Sequence, residues 1–170
     1  MYAQRKAPFT PRTHGGRGGY RPAPIRARVG LAMRRAMNFG DMPDAEAVLR
    51  SRGLSLAPMS VGEAGLHVGG TSVLPTAEAS DIDNGALKAV VIPAGSADPD
   101  GAAALNDVIT RAEAKGAPMF AFGDGVETAL RALDRPHAPF ADAPAVMITA
   151  DAVEALADSD ALAAAALRVQ

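Results

Sequence analysis

The residues best placed by type and spacing to do chemistry lie in Ala121-Phe122-Gly123-Asp124-Gly125. An apolar run, Pro118-Met119-Phe120-Ala121-Phe122, breaks at Gly123-Asp124-Gly125, after which Val126, Ala129, Leu130 and Leu133 recur at helical spacing. Strand, sharp turn and helix in that order make the geometry that lifts a nucleophile above a parallel sheet. Its pattern is small-x-nucleophile-x-small, because the flanking backbone passes too close for side chains. The segment fits only with Gly123 in the nucleophile slot. Shifting the frame to make Asp124 the nucleophile puts Phe122 and Val126 where small residues are needed. The scaffold of a nucleophilic site is therefore expected here, without its reactive atom.

The elements that must position this turn follow from the rest of the chain. At 170 residues, a single domain with a real core is expected. Apolar residues are 48% of the chain, mostly Ala, Val and Leu; Trp is absent and aromatics are only 4%. The chain has no Cys, which excludes a disulfide framework, a thiolate metal site and a cysteine nucleophile together. Strands are expected over residues 26–33, 54–61, 87–92, 118–122 and 145–149, with a hairpin through Gly69-Gly70 over residues 66–74. A basic helix through Arg34 and Arg35 competes with the first strand. Helices are expected over residues 43–52, closed by Gly53, over 100–115, closed by Gly116, and after the turn. One or two Ala-rich helices over residues 151–167, capped by Asp151 or Thr149, complete the pattern. Alternation of this kind implies a flavodoxin-like three-layer α/β/α sandwich with a mainly parallel sheet. Ligand sites in such sheets lie at the carboxyl ends of the strands. Three loops should converge there: residues 37–42, residues 93–98 and the Gly123 turn.

The turn resembles the ThiJ/PfpI family of the class I glutamine-amidotransferase-like superfamily, whose elbow commonly reads A-I-C-H-G. Gly123 falls at the family cysteine and Asp124 at the following histidine. Upstream, Leu87-Lys88-Ala89-Val90-Val91-Ile92-Pro93-Ala94-Gly95 resembles the family strand ending in P-G-G. LHVGGTSVLP, residues 66–75, resembles the family hairpin, and Ala47-Val48-Leu49-Arg50-Ser51-Arg52-Gly53 the helix end D-V-L-R-x-A-G. The matches run in order over residues 28–133.

The resemblance implies a site built from Ala94, Gly95, Gly123, Asp124 and Gly125. Their backbone N–H groups would polarise a carbonyl or hold an anion, with both glycine-loop N–H groups available. In the family a Glu from the first loop supports the cysteine, and counting back from residues 47–53 places Asp41 near it. Asp41 and Asp124 could then act as a general acid/base pair in a hydrolase, lyase or isomerase. The competing reading makes Asp41 a cap for the helix near Pro43 and Asp124 a cap for the helix at Gly125. Only 134–144 separate the elbow helix from the last strand, where the family usually inserts more chain, so a shallow, wet cleft is expected. The leading expectation is a catalytically degenerate domain, a pseudoenzyme, that binds a small anionic ligand or a protein partner. Homodimerisation is implied by the family alone. No cofactor is implied, and His14, His67 and His137 lack metal spacing.

Charge divides the chain. Residues 1–40 hold nine Lys/Arg and no acid, whereas residues 41–170 hold eight basic and all nineteen acidic residues, a net of −11. Residues 1–25, rich in Arg, Gly and Pro, read as a disordered basic tail. Arg17-Gly18-Gly19-Tyr20-Arg21 resembles one RGG unit, so Arg12, Arg17, Arg21 and Arg26 are candidates for phosphate contacts with nucleic acid. Two other readings compete: the tail folds onto the acidic body, or residues 1–25 are untranslated. No apolar run approaches a membrane span and no signal-peptide core opens the chain, so a cytoplasmic protein is expected.

Overall fold

A computed structural model describes residues 24–62, 66–68 and 70–170. The expected disordered tail, with Arg12, Arg17, Arg21 and His14, lies outside the described residues. The chain opens with β1 (Ala27–Met33), β2 (Arg35–Asn38), α1 (Ala45–Ser51) and β3 (Leu54–Ser60). The short hairpin β4 (Leu66–Val68) and β5 (Thr71–Val73) follows, then α2 (Ser80–Asp83), β6 (Val90–Ile92) and β7 (Ala94–Ser96). Next come α3 (Pro99–Ala114), β8 (Met119–Phe122) and α4 (Asp124–Ala132). β9 (Ala145–Ile148), β10 (Val153–Leu156) and α5 (Ser159–Ala166) complete the chain.

Six strands form one sheet in the order β10-β9-β8-β6-β1-β3. β3, β1, β6 and β8 run parallel; β9 pairs antiparallel with both β8 and β10, so it alone runs the opposite way. Successive strand residues face opposite sides, so each central strand feeds two cores. Val90, Ile92, Met119 and Ala121 meet Val108 and Ile109 of α3 and Val126 and Leu130 of α4 on one face. Val91, Phe120 and Phe122 meet Leu49 of α1 and Leu162 of α5 on the other. This is the expected flavodoxin-like three-layer sandwich, and burial on both faces is why its strands read as unbroken apolar runs.

Two expectations need correction. Residues 151–167 are not continuous helix. Thr149 N–H donates to Ala152 O, turning the chain back, and Val153 to Leu156 pair with β9. The helix begins only at Ser159, capped by Asp158, whose Oδ1 accepts from Ala161 N–H at 2.8 Å. Ala-rich composition favours helix locally, but four residues are easily recruited by an exposed sheet edge. Second, residues 37–42 and 93–98 are not simply two loops, because β2 and β7 pair antiparallel above the main sheet. That ribbon is tight. A Cβ on Gly95 would lie 2.7 Å from Arg34 Cβ and 2.9 Å from Arg35 O.

Arg26, grouped on sequence with the phosphate-binding arginines, is held by the folded body. Its guanidinium donates to Arg52 O at 2.5 and 2.8 Å, and to Ala166 O and Val169 O at 3.1 Å each. A cation at two helix C-termini satisfies carbonyls that the helices leave free and complements their dipoles. Arg26→Ala should therefore cost roughly 1–3 kcal/mol and lower the melting temperature by several degrees. An unchanged melting curve would show that these bonds contribute nothing.

Candidate functional site

β8 ends at Phe122 and α4 starts at Asp124, leaving Gly123 alone at the turn with φ 53° and ψ −130°. Glycine adopts this conformation freely, whereas a side chain there is strained. Gly125 is fixed by a different constraint. A Cβ there would lie 2.7 Å from Ile92 O and 2.8 Å from Pro93 O, so the start of α4 lies directly against the end of β6.

Gly123 is exposed, but the side on which its Cβ would stand is taken. A Cβ at residue 123 would come within 2.9 Å of Ala94 Cβ, too close for two carbons. Gly40 approaches from the first loop, and a Cβ added to it would lie 3.4 Å from Gly123 Cα. Gly40 has φ 58°, and its N–H donates to Asn38 Oδ1 at 2.8 Å. The neighbouring Phe39 ring meets Phe122 edge-on, with centroids 5.1 Å apart and planes at 88°. Gly40, not Asp41, is thus the first-loop residue against the turn. Asp41 is exposed, and its carboxylate has no hydrogen-bond partner among the described residues.

Asp124 does not act as a cap, since no side chain caps α4. Its Oδ1 instead accepts from Arg34 Nη1 at 3.1 Å and from Gly95 N–H at 3.0 Å. The Gly95 N–H expected to be open to a ligand is therefore taken, and that of Gly123 donates to Pro144 O at 3.3 Å. Asp124 and Asp41 are not joined by any hydrogen bond, and Asp124 is engaged with a cation instead.

Arg34 sits immediately beyond β1 with only 7% of its side chain exposed, against 62% for Asp124. Burying a guanidinium is costly unless its charge and donors are met. Nη1 meets both Asp124 and Pro93 O, the latter at 2.9 Å. Nε is buried with no partner. This one side chain links the end of β1, the β6–β7 junction and the start of α4. Motif and spacing did not single out Arg34, Phe39 or Gly40. The available signal was a cation directly after a buried strand, at the end of the sheet where ligands bind.

The remaining sequence candidates are dispersed. His137 flanks a short 3-10 turn at Ala138–Phe140, and the His67 backbone lies in β4. Among the described residues, no cluster of three or more His, Asp or Glu could hold a metal.

Solved structures with a similar fold include DJ-1beta of Drosophila melanogaster, at 14% identity, covering 84% of this chain and 88% of that one, TM-score 0.52. An AraC family transcriptional regulator from Pseudomonas putida matches at 17% identity over 82% of this chain and 88% of that one, TM-score 0.54. Oxidized DJ-1 of Toxoplasma gondii matches at 17% identity over 84% and 88%, TM-score 0.51. The sequence matches no family profile and no curated protein. At these identities the likeness establishes a shared fold, and a fold does not by itself carry a function.

The contact between residues 94 and 123 generates a double-mutant test. Gly123→Cys alone should be clearly destabilised, by the Ala94 methyl as well as by backbone strain. Adding Ala94→Gly should recover about 0.5–3 kcal/mol of the loss through coupling of touching residues, read from melting curves. The thiol of the double variant should react with iodoacetamide. Strictly additive effects would show that the methyl does not occupy that space.

Proposed function

We propose that this chain is a divergent ThiJ/PfpI-type domain that lacks a nucleophile and works by binding, its ligand a small anion or a protein partner. The observation that carries this reading is the packing of Ala94 against Gly123. The turn keeps an elbow's backbone, but its apex has no side chain, and Ala94 Cβ stands 2.9 Å from where a Cβ would begin. Losing a nucleophile costs roughly three to six orders of magnitude, leaving only binding and oxyanion contributions. Here Gly95 N–H, expected to serve an oxyanion, is occupied by Asp124. The alternative in which Asp124 and Asp41 act as acid and base has less support, because one is tied to Arg34 and the other stands apart.

The test is an activity panel on the full-length protein. No glyoxalase, deglycase, amidase or peptidase turnover above background is expected. Turnover that vanishes in Asp124→Asn, with the fold intact by circular dichroism, would overturn this reading in favour of carboxylate chemistry.

Charge asymmetry supports a second reading for the tail alone: a phosphate-binding surface for nucleic acid, built from Arg12, Arg17 and Arg21. Neutralising these three should weaken RNA or DNA binding without altering sequence preference. It should also flatten the salt dependence by about 0.7–0.9 for each phosphate left without its cation. Equal binding and equal salt slope in the triple variant would dismiss the tail.

A further inference from the structure

We propose that the cleft between α3 and α4 binds a small monocarboxylate, with Arg34 and Arg131 receiving its carboxylate and Asn106 and Thr128 a hydroxyl on its body. This rests on the binding reading above and supplies a place and a ligand class for it. The cleft encloses about 290 Å³ and is lined by these four polar side chains and by Ala97, Ala102 and Ala132. Gly123 does not line it.

Three observations point to the ligand. Arg34 is more than nine-tenths buried, yet its Nε meets no partner. Arg34 also lines the cleft, so a scarcely hydrated positive charge stands in its wall, where an anion gains more than it would in open water. The charge balance sets the number of negative charges. Arg34 already faces Asp124, and Arg131 pairs with Glu127 on the same helix. Two resident carboxylates would repel a dianion. Arg131 is itself 77% exposed and does no more than offset Glu127, whereas Asp124 is 62% exposed and screened by water and Arg34 is not, so the surplus left for one carboxylate is that of Arg34. The rest of the lining chooses the body. Thr128 Oγ1 donates to Asp124 O, so its lone pairs remain for a ligand hydroxyl, and Asn106 adds an amide with no partner among the described residues. The alanine methyls suit a short apolar chain, and a short hydroxy acid combines these features.

The experiment is an amide NMR titration of the full-length protein with 3-hydroxybutyrate, butyrate and inorganic phosphate at constant ionic strength. Saturable shifts centred on Asn106, Thr128 and Arg131 are expected with 3-hydroxybutyrate, and weaker binding of phosphate. Arg131→Gln should weaken 3-hydroxybutyrate binding about tenfold, the scale of one charge-assisted contact. Thr128→Val should abolish the preference for 3-hydroxybutyrate over butyrate. Both variants spare the buried Arg34, whose own substitution risks unfolding. Non-saturating shifts, shifts centred on Gly123 and Gly95, phosphate binding as tight as 3-hydroxybutyrate, or affinity unchanged by Arg131→Gln would each overturn the proposal. Turnover in the activity panel would sink the non-catalytic reading while leaving this titration to stand or fall on its own.

Discussion

The site end of this molecule depends on one buried cation. Arg34 follows a strand that is buried on both faces, so its guanidinium cannot escape to water and must be met within the protein. Its Nη1 is met by Pro93 O and by Asp124. Those two partners lie on the β6–β7 connection and at the first residue of α4. A single desolvated charge therefore couples three segments distant in sequence, and the cost of leaving it unpaired holds them in register. Asp124 completes the tie by accepting from Gly95 N–H as well.

The Gly123 turn then reads as a packed junction. Gly125 leaves no room for a Cβ against the backbone of Ile92 and Pro93, the Ala94 methyl takes the place a Cβ on Gly123 would need, and Gly40 stands at contact distance from Gly123. Sharp turns of this kind tolerate strain in enzymes because the strained residue does chemistry. In this chain a glycine removes the strain, an alanine methyl occupies the adjoining space, and an aspartate takes up a backbone donor. The three features are consistent with one another: each occupies a position that the family resemblance would leave open.

Fold likeness to DJ-1-type structures and to a transcriptional regulator places the chain in a common architecture and leaves its role to its own side chains. Cations and uncharged polar groups gather between α3 and α4, while the turn itself presents little that is reactive. The helices on either face keep both layers of core closed beneath it.

The sequence by itself determined the layered architecture, because period-two burial on two faces writes strands as apolar runs and because Gly53, Gly116 and Gly123 mark where elements stop. It also located the turn and its glycine, since small residues at 121 and 125 mark a close backbone approach, although the backbone that meets Gly125 belongs to the end of β6. Tertiary structure alone decided the rest. Residues 153–156 became strand because an exposed edge of β9 lay beside them, overriding alanine's helical preference. Asp124 left its expected capping role because a buried guanidinium 90 positions earlier outcompeted a local N–H. Arg26 left the set of phosphate-contact candidates because two helix ends, at Arg52 and at Ala166, meet beside it. Periodicity records which way a residue faces, and it carries no information about which distant partner it will find there.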